Sequence, residues 1–146
     1  MIRSVLLTIL SVFMFYACAD KADNPKKAAE DIVEAYNNRD TKRIWERTLP
    51  EDKEAVRQNF RENADNLDLM NMMAQASDTE NMTADNVTEE EYLFAMFKMI
   101  FGKNDMKLIN IEQDGVNSAI VNLQIGEKRA IMPLVKQNGF WYMKVN

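Results

Sequence analysis

Apolar positions along this chain change their spacing twice. Residues 5–17 (VLLTILSVFMFYA) form a nearly unbroken apolar run. Over 25–101 the apolar positions recur at three- and four-residue intervals, and after Gly102 they fall on every second residue. A helical period followed by a strand period predicts helices first and a sheet last.

The helical part has its own punctuation. Asn24 precedes Pro25, a capping residue followed by the proline position that a helix start tolerates. Ala29, Ile32, Val33 and Tyr36 then share one face. Asn37-Asn38-Arg39-Asp40 interrupts the pattern, and Asp40 caps a short helix that carries Ile44 and Trp45 and ends at Leu49-Pro50. A long helix is expected over 51–76, with Val56, Phe60, Ala64, Leu67 and Met70 roughly on one stripe. The polar stretch 77–87 (SDTENMTADNV) reads as a loop. Thr88-Glu89-Glu90-Glu91 has the spacing of a capping box, after which Leu93, Met96, Phe97 and Ile100 continue as an apolar face. Phe94 and Phe101 flank that face, so this helix should pack on more than one side.

Gly102 ends the helical spacing. Strands are expected over 107–113, 116–125, 128–136 and 140–145, separated by Asp114-Gly115, Gly126-Glu127 and Asn138-Gly139. Asp-Gly and Asn-Gly suit type I′ turns and Gly-Glu suits type II′, which makes an antiparallel meander. The side bearing Ala119, Val121 and Leu123 should face the helices. Pro133 cannot donate to a ladder and should mark a bulge or an unpaired stretch. The fold class is therefore α+β, with N-terminal helices packed on a C-terminal four-stranded antiparallel meander.

Composition narrows the function. Lysine and arginine number 18 against 23 aspartates and glutamates, for a formal net charge of −5, which disfavours nucleic acid as a partner. There is no histidine, so Ser-His-Asp and Cys-His nucleophile systems and histidine-ligated metals are unavailable. The single cysteine, Cys18, allows no intramolecular disulfide.

Cys18 stands where the apolar run ends and a polar sequence begins. Arg3, the apolar run and Ala17 before the break describe an export signal. Phe15-Tyr16-Ala17-Cys18 resembles the bacterial lipobox, with Ala17 in keeping and Phe15 and Tyr16 departing from the usual residues. On that reading residues 1–17 are a lipoprotein signal peptide, 18–24 are the lipidated cysteine and its tether, and the membrane is a partner through the lipid on Cys18. The place would be the bacterial cell envelope, periplasmic or at the outer surface. Cleavage after Ala19 would instead give a secreted soluble protein, and an uncleaved anchor would be shorter than the roughly 20 residues that span a bilayer.

The order of elements resembles a known group. The helix ending in Tyr36-Asn37-Asn38-Arg39-Asp40, the strand Ala119-Ile120-Val121 and the closing Asn138-Gly139-Phe140-Trp141-Tyr142-Met143 are similar to parts of small bacterial lipoproteins of the cystatin-like superfamily, the fold of nuclear transport factor two. The resemblance implies a single cystatin-like domain over 25–146, a helical insertion over about 50–103, a sheet curved into a cone around the first helix, and Trp141 in the core.

Candidate chemistry follows from what remains. Tyr36, Trp45, Tyr92 and Tyr142 are candidates to line the open end of the cone, with apolar faces and polar tips. A small apolar ligand or an envelope protein is the expected partner, and the role is expected to be non-catalytic, with no cofactor and no metal. The alternative is a carboxylate- and tyrosine-dependent isomerase- or hydrolase-like enzyme, using Asp40 and Tyr36 with Tyr92 or Tyr142. Against it, Asp40 is explained as a helix cap and the tyrosines as packing. Met70, Met72, Met73, Met96 and Met99 offer thioethers to copper(I), but their helical spacing is equally that of adaptable core filling.

Overall fold

The computed structural model describes residues 23–145, and Cys18, the leader and most of the tether lie outside them. Helix α1 (Pro25–Asn37) starts where expected, with the Asn24 side chain accepting from Lys27 N at 2.8 Å. It turns Ala28, Ala29, Ile32, Ala35 and Tyr36 inward, and the small alanines let the helix lie close on β1 and β4. Helix α2 (Thr41–Glu46) is capped by Asp40, whose Oδ1 accepts from Arg43 N at 3.1 Å.

The single helix expected over 51–76 is instead two, α3 (Pro50–Asn63) and α4 (Leu67–Ser77). The break falls at Ala64-Asp65-Asn66. Asn66 leaves helical geometry at φ −81°, ψ 91°, and its side chain accepts from Leu69 N at 3.2 Å. Short polar side chains compete with the helical ladder in this way, and a new cap replaces the lost backbone bonds. The apolar stripe breaks with the helix. Val56 and Met70 are buried as expected, but Leu67 is 68 % exposed, and α4 adds Met73 and Ala74 to the core.

Helix α5 (Glu89–Phe101) carries the full capping box. Thr88 N donates to Glu91 Oε2 at 2.8 Å, and Glu91 N donates to Thr88 Oγ1 at 3.2 Å. It packs against α2, α3 and α4, which is why it buries Tyr92 through Ala95 together with Phe97 and Lys98. Ile100, expected on its buried face, is 63 % exposed. Gly102, at φ 90° and ψ −174°, ends the helix in a conformation that a side chain would strain.

The sheet is an antiparallel meander of β1 (Met106–Gln113), β2 (Ser118–Ile125), β3 (Lys128–Gln137) and β4 (Phe140–Met143), in that spatial order. Ala119, Val121, Leu123 and Ile125 are all buried. Asn138 and Gly139 both have positive φ, as a type I′ turn requires. The first connection differs from expectation. Asp114 keeps a negative φ, and Asp114 N donates to Ser118 O at 3.0 Å, closing a longer loop so that β2 starts at Ser118 rather than at Val116.

Two further details shape the edge of the sheet. The register of β1 on β2 shifts between Leu108 and Asn110, placing the bulge on β1 and not at Pro133. Pro133 instead pairs in register with Ile120. Its missing N–H is felt on the other side, where Lys144 N donates to Pro133 O at 2.9 Å and no bond can be returned. Pairing of β3 with β4 accordingly stops at Leu134 and Met143, two residues short of the expected strand end. The outer edge of β4 is covered by residues 47–49, with Met143 N donating to Arg47 O at 2.7 Å and Leu49 N to Met143 O at 3.0 Å. Trp141 and Met143 point into the core, while Phe140 is 56 % exposed.

Candidate functional site

The chain leaves the sheet after Met143 for two reasons. Pro133 withholds a ladder bond, and Asp52, buried in the first turn of α3, accepts a hydrogen bond from Val145 N at 2.7 Å. A cavity of about 200 Å³ lies beside this chain end. Ile32 and Tyr36 of α1, Ile44 of α2, and Phe97, Ile100 and Phe101 of α5 form one wall, and Met106, Leu123, Met132 and Met143 of the sheet form the other. Ile131, Pro133, Lys144 and Val145 stand at its sheet-edge side.

The polar groups near this apolar space are already engaged. The Tyr36 hydroxyl donates to Gly102 O at 2.7 Å, tying α1 to the end of α5. Burial, and then the nearby charge of Asp105, push the Tyr36 phenol up to about 12. The Lys98 ammonium lies 3.8 Å from the centroid of the Tyr36 ring and 5.3 Å from that of Phe94, so two π faces take the place of water. Burial holds the Lys98 pKa below the usual lysine range, reinforced by Arg39 and opposed by Asp105 and Asp78. Asn37 clamps the start of β1 from the same helix end, accepting from Met106 N at 2.7 Å and donating to Met106 O at 2.9 Å.

Compared with known protein families, with curated proteins and with solved structures, this chain matches none. Its site is therefore read from geometry alone. Of the four aromatic residues singled out in the sequence, Tyr36 lines this cavity and the other three lie outside it, Tyr92 and Tyr142 each at a different cleft. Trp45 is stacked under the cations of Lys53 and Arg57, at 5.6 and 5.3 Å. Tyr92 is buried against Phe60 and donates to Asn59 Oδ1 at 2.6 Å, beside a shallow groove that includes Met73 and Met96. Tyr142 lies on the opposite side of β4 from Trp141, in a polar cleft with Asp31, Arg43 and Arg47. Their separation follows from the topology, because each belongs to a different face of a different element.

Asp40 serves as the α2 cap and lies 3.5 Å from Arg43 Nε. The methionines divide. Met70 and Met73 fill the core, whereas Met72 and Met99 are exposed. Among the described residues no group of three carboxylate, histidine or cysteine side chains is placed to hold a metal ion, and no helix is long and apolar enough to cross a membrane.

Sequence reasoning passed over four charged residues that the structure makes central, Arg47, Asp23, Asp52 and Lys98. Arg47 joins Asp23 and Asp31, each at 2.8 Å, and also reaches Trp141 O at 3.2 Å. Asp23 in turn accepts from Trp141 N at 2.7 Å. Asp52 holds the departing chain end. Lys98 alone left a local trace, a lysine within the apolar run FKMIF.

Proposed function

We propose that this protein is a lipid-anchored bacterial envelope protein of the cystatin-like type that binds a small apolar group, without catalysis, in the cavity between α1, α5 and the sheet. The observation that carries the reading is the cavity itself, open at the sheet edge and walled almost wholly by aliphatic, thioether and aromatic side chains. A cavity of about 150 Å³ with such a lining stays dry and takes up benzene, so one of this size suits a group of similar bulk. Tyr36, its one phenol, already donates to a backbone carbonyl, and none of the lining residues is a carboxylate. Both points favour binding over the carboxylate–tyrosine chemistry weighed above. The bulged antiparallel sheet and the packing of α1 on β1 and β4 support the cystatin-like reading, and the export-signal pattern ending at Cys18 supports the anchor.

Two experiments test this. Titrating the isotope-labelled full chain with toluene should shift the methyl signals of Ile32, Met106, Leu123 and Met132 in a saturable way. Shifts confined to exposed methyls such as those of Leu67 and Met72 would sink the cavity reading. Cys18→Ala should release the protein from bacterial membranes, and quantitative retention of that variant would rule out the lipid anchor.

A further inference from the structure

Ile131 and Pro133, at the sheet-edge side of the cavity, belong to a stretch of β3 that pairs with β2 on one side and, among the described residues, with no strand on the other. Lys136 N donates to Asn117 O at 2.8 Å on one side of β3, while Pro133 O accepts from Lys144 N on the other. Residues of the same parity as Pro133 therefore direct their N–H and C=O away from β2, which here means Arg129 and Ile131. Pairing of β3 with β4 ends at Leu134 and Met143, and Val145 N is held by Asp52, so β4 does not reach them. Among the described residues β4 alone flanks β3 on that side, and it reaches no further than Leu134.

Charge marks the same place. Lys128, Arg129 and Lys144 are exposed around this edge. Arg39, Arg43, Arg47, Arg57 and Arg61 each reach a carboxylate. Among the described residues neither Arg129 nor either of these lysines does. Three cations without an ion pair thus gather at one edge of a chain of net charge −5, with Glu112 in the cleft beside Arg129. Met132 is buried in the cavity wall, and Ile131, 62 % exposed, stands at its sheet-edge side.

We propose that this edge receives an extended acidic segment of a partner protein, which pairs with Arg129 and Ile131 as an added strand and seats one apolar side chain in the cavity beside Met132. The proposal rests on the cavity-binding reading and names its ligand class. Unpaired N–H and C=O groups at strand spacing are matched by another peptide backbone, which supplies affinity, while the cavity selects a side chain. An acyl chain would fill the cavity and leave those backbone groups unmatched. Side chains of the added strand alternate, so an apolar residue directed into the cavity leaves its neighbours directed outward, toward Arg129 and Lys144. Acidic residues there are attracted locally and repelled by the rest of the surface, which directs the segment to this edge.

The test is fluorescence anisotropy of the full chain with a labelled, end-blocked peptide of sequence glutamate-phenylalanine-glutamate-valine-glutamate. Saturable binding is expected, with loss of about tenfold or more in affinity when the amides facing the edge are N-methylated. Ile131→Pro removes an edge donor while leaving the bonds to β2 intact, so it should weaken the peptide by a similar factor. Undiminished binding by the methylated peptide or by the Ile131→Pro chain would overturn the added strand. If toluene fails to enter while the peptide binds equally well with alanine in place of phenylalanine, the cavity reading falls, and the seated anchor with it. Binding to phosphatidylglycerol vesicles that the peptide does not displace would assign the cations to a lipid surface and also overturn the proposal.

Discussion

Ionising Tyr36 should cost this fold a measurable part of its stability. The phenol is buried, donates to Gly102 O, and joins α1 to the loop that starts the sheet. Its pKa is pushed from 10.0 up to about 12, chiefly by burial. A raised folded-state pKa means that the folded state keeps a proton which the unfolded state has released, so stability falls as pH rises through that window. At ~1.36 kcal/mol per pKa unit the full loss is ~2.7 kcal/mol, of which ~1.4 kcal/mol has gone by pH 11. Below pH 10 the contribution is fully present. Urea unfolding of the wild type and of Tyr36→Phe at several pH values between 8 and 11 isolates the effect, because other lysines and tyrosines titrate in both chains. At pH 8 the variant should be less stable by about 1–2 kcal/mol, since Gly102 O loses its donor. That gap should close by ~1.4 kcal/mol at pH 11. Ultraviolet titration should show the tyrosinate signal missing from the variant to be a late one. A gap that stays constant with pH, or a missing signal centred near 10, would refute the argument.

Three other substitutions probe the frame. Arg47→Ala leaves buried Asp23 without its cation, while Asp31 keeps Arg43 at 3.4 Å, and should cost about 3 kcal/mol in chemical denaturation. Asp52→Ala frees the chain end, so hydrogen exchange at the Val145 amide should accelerate sharply and stability should fall by about 2 kcal/mol. An unchanged exchange rate would show that the carboxylate does not hold the tail. Thr88→Ala breaks one arm of the α5 capping box and should lower stability by about 1 kcal/mol, read as a reduced midpoint at unchanged slope.

The alkaline window also bears on Lys98. Its pKa is held down by burial, so the folded state sheds that proton before the unfolded state does, and this group alone makes stability rise with pH up to the ordinary lysine value. Tyr36 and Lys98 thus act in opposite directions although their side chains touch. Comparing variants at the same pH separates them, where a single melting curve would not.

What the sequence determined by itself is what neighbours within four residues decide. Asn24, Asp40 and Thr88 each cap a helix through a bond to a backbone N–H three residues ahead, so both the helix and its start were legible. Asn138-Gly139 sets its own turn, and the alternation from Ala119 to Ile125 selects the buried face of β2 without reference to anything else. Asn66 is the instructive exception. Its capping bond to Leu69 is just as local, but a continuous apolar stripe concealed it, and the stripe was only approximate.

Tertiary structure decided everything that depends on residues far apart in the chain meeting at one point. Arg47 meets Asp23 and Trp141, Asp52 meets Val145, and Tyr36 meets Gly102, and in each case the separation in sequence removes any periodic signal. The cavity belongs to this class. Pro133 announces a missing donor, but whether that donor is missed by β2 or by β4 depends on the parity of the register, which only the assembled sheet sets. Where β4 stops and Asp52 holds the chain end, an apolar space and a strand edge that no described residue pairs with lie side by side.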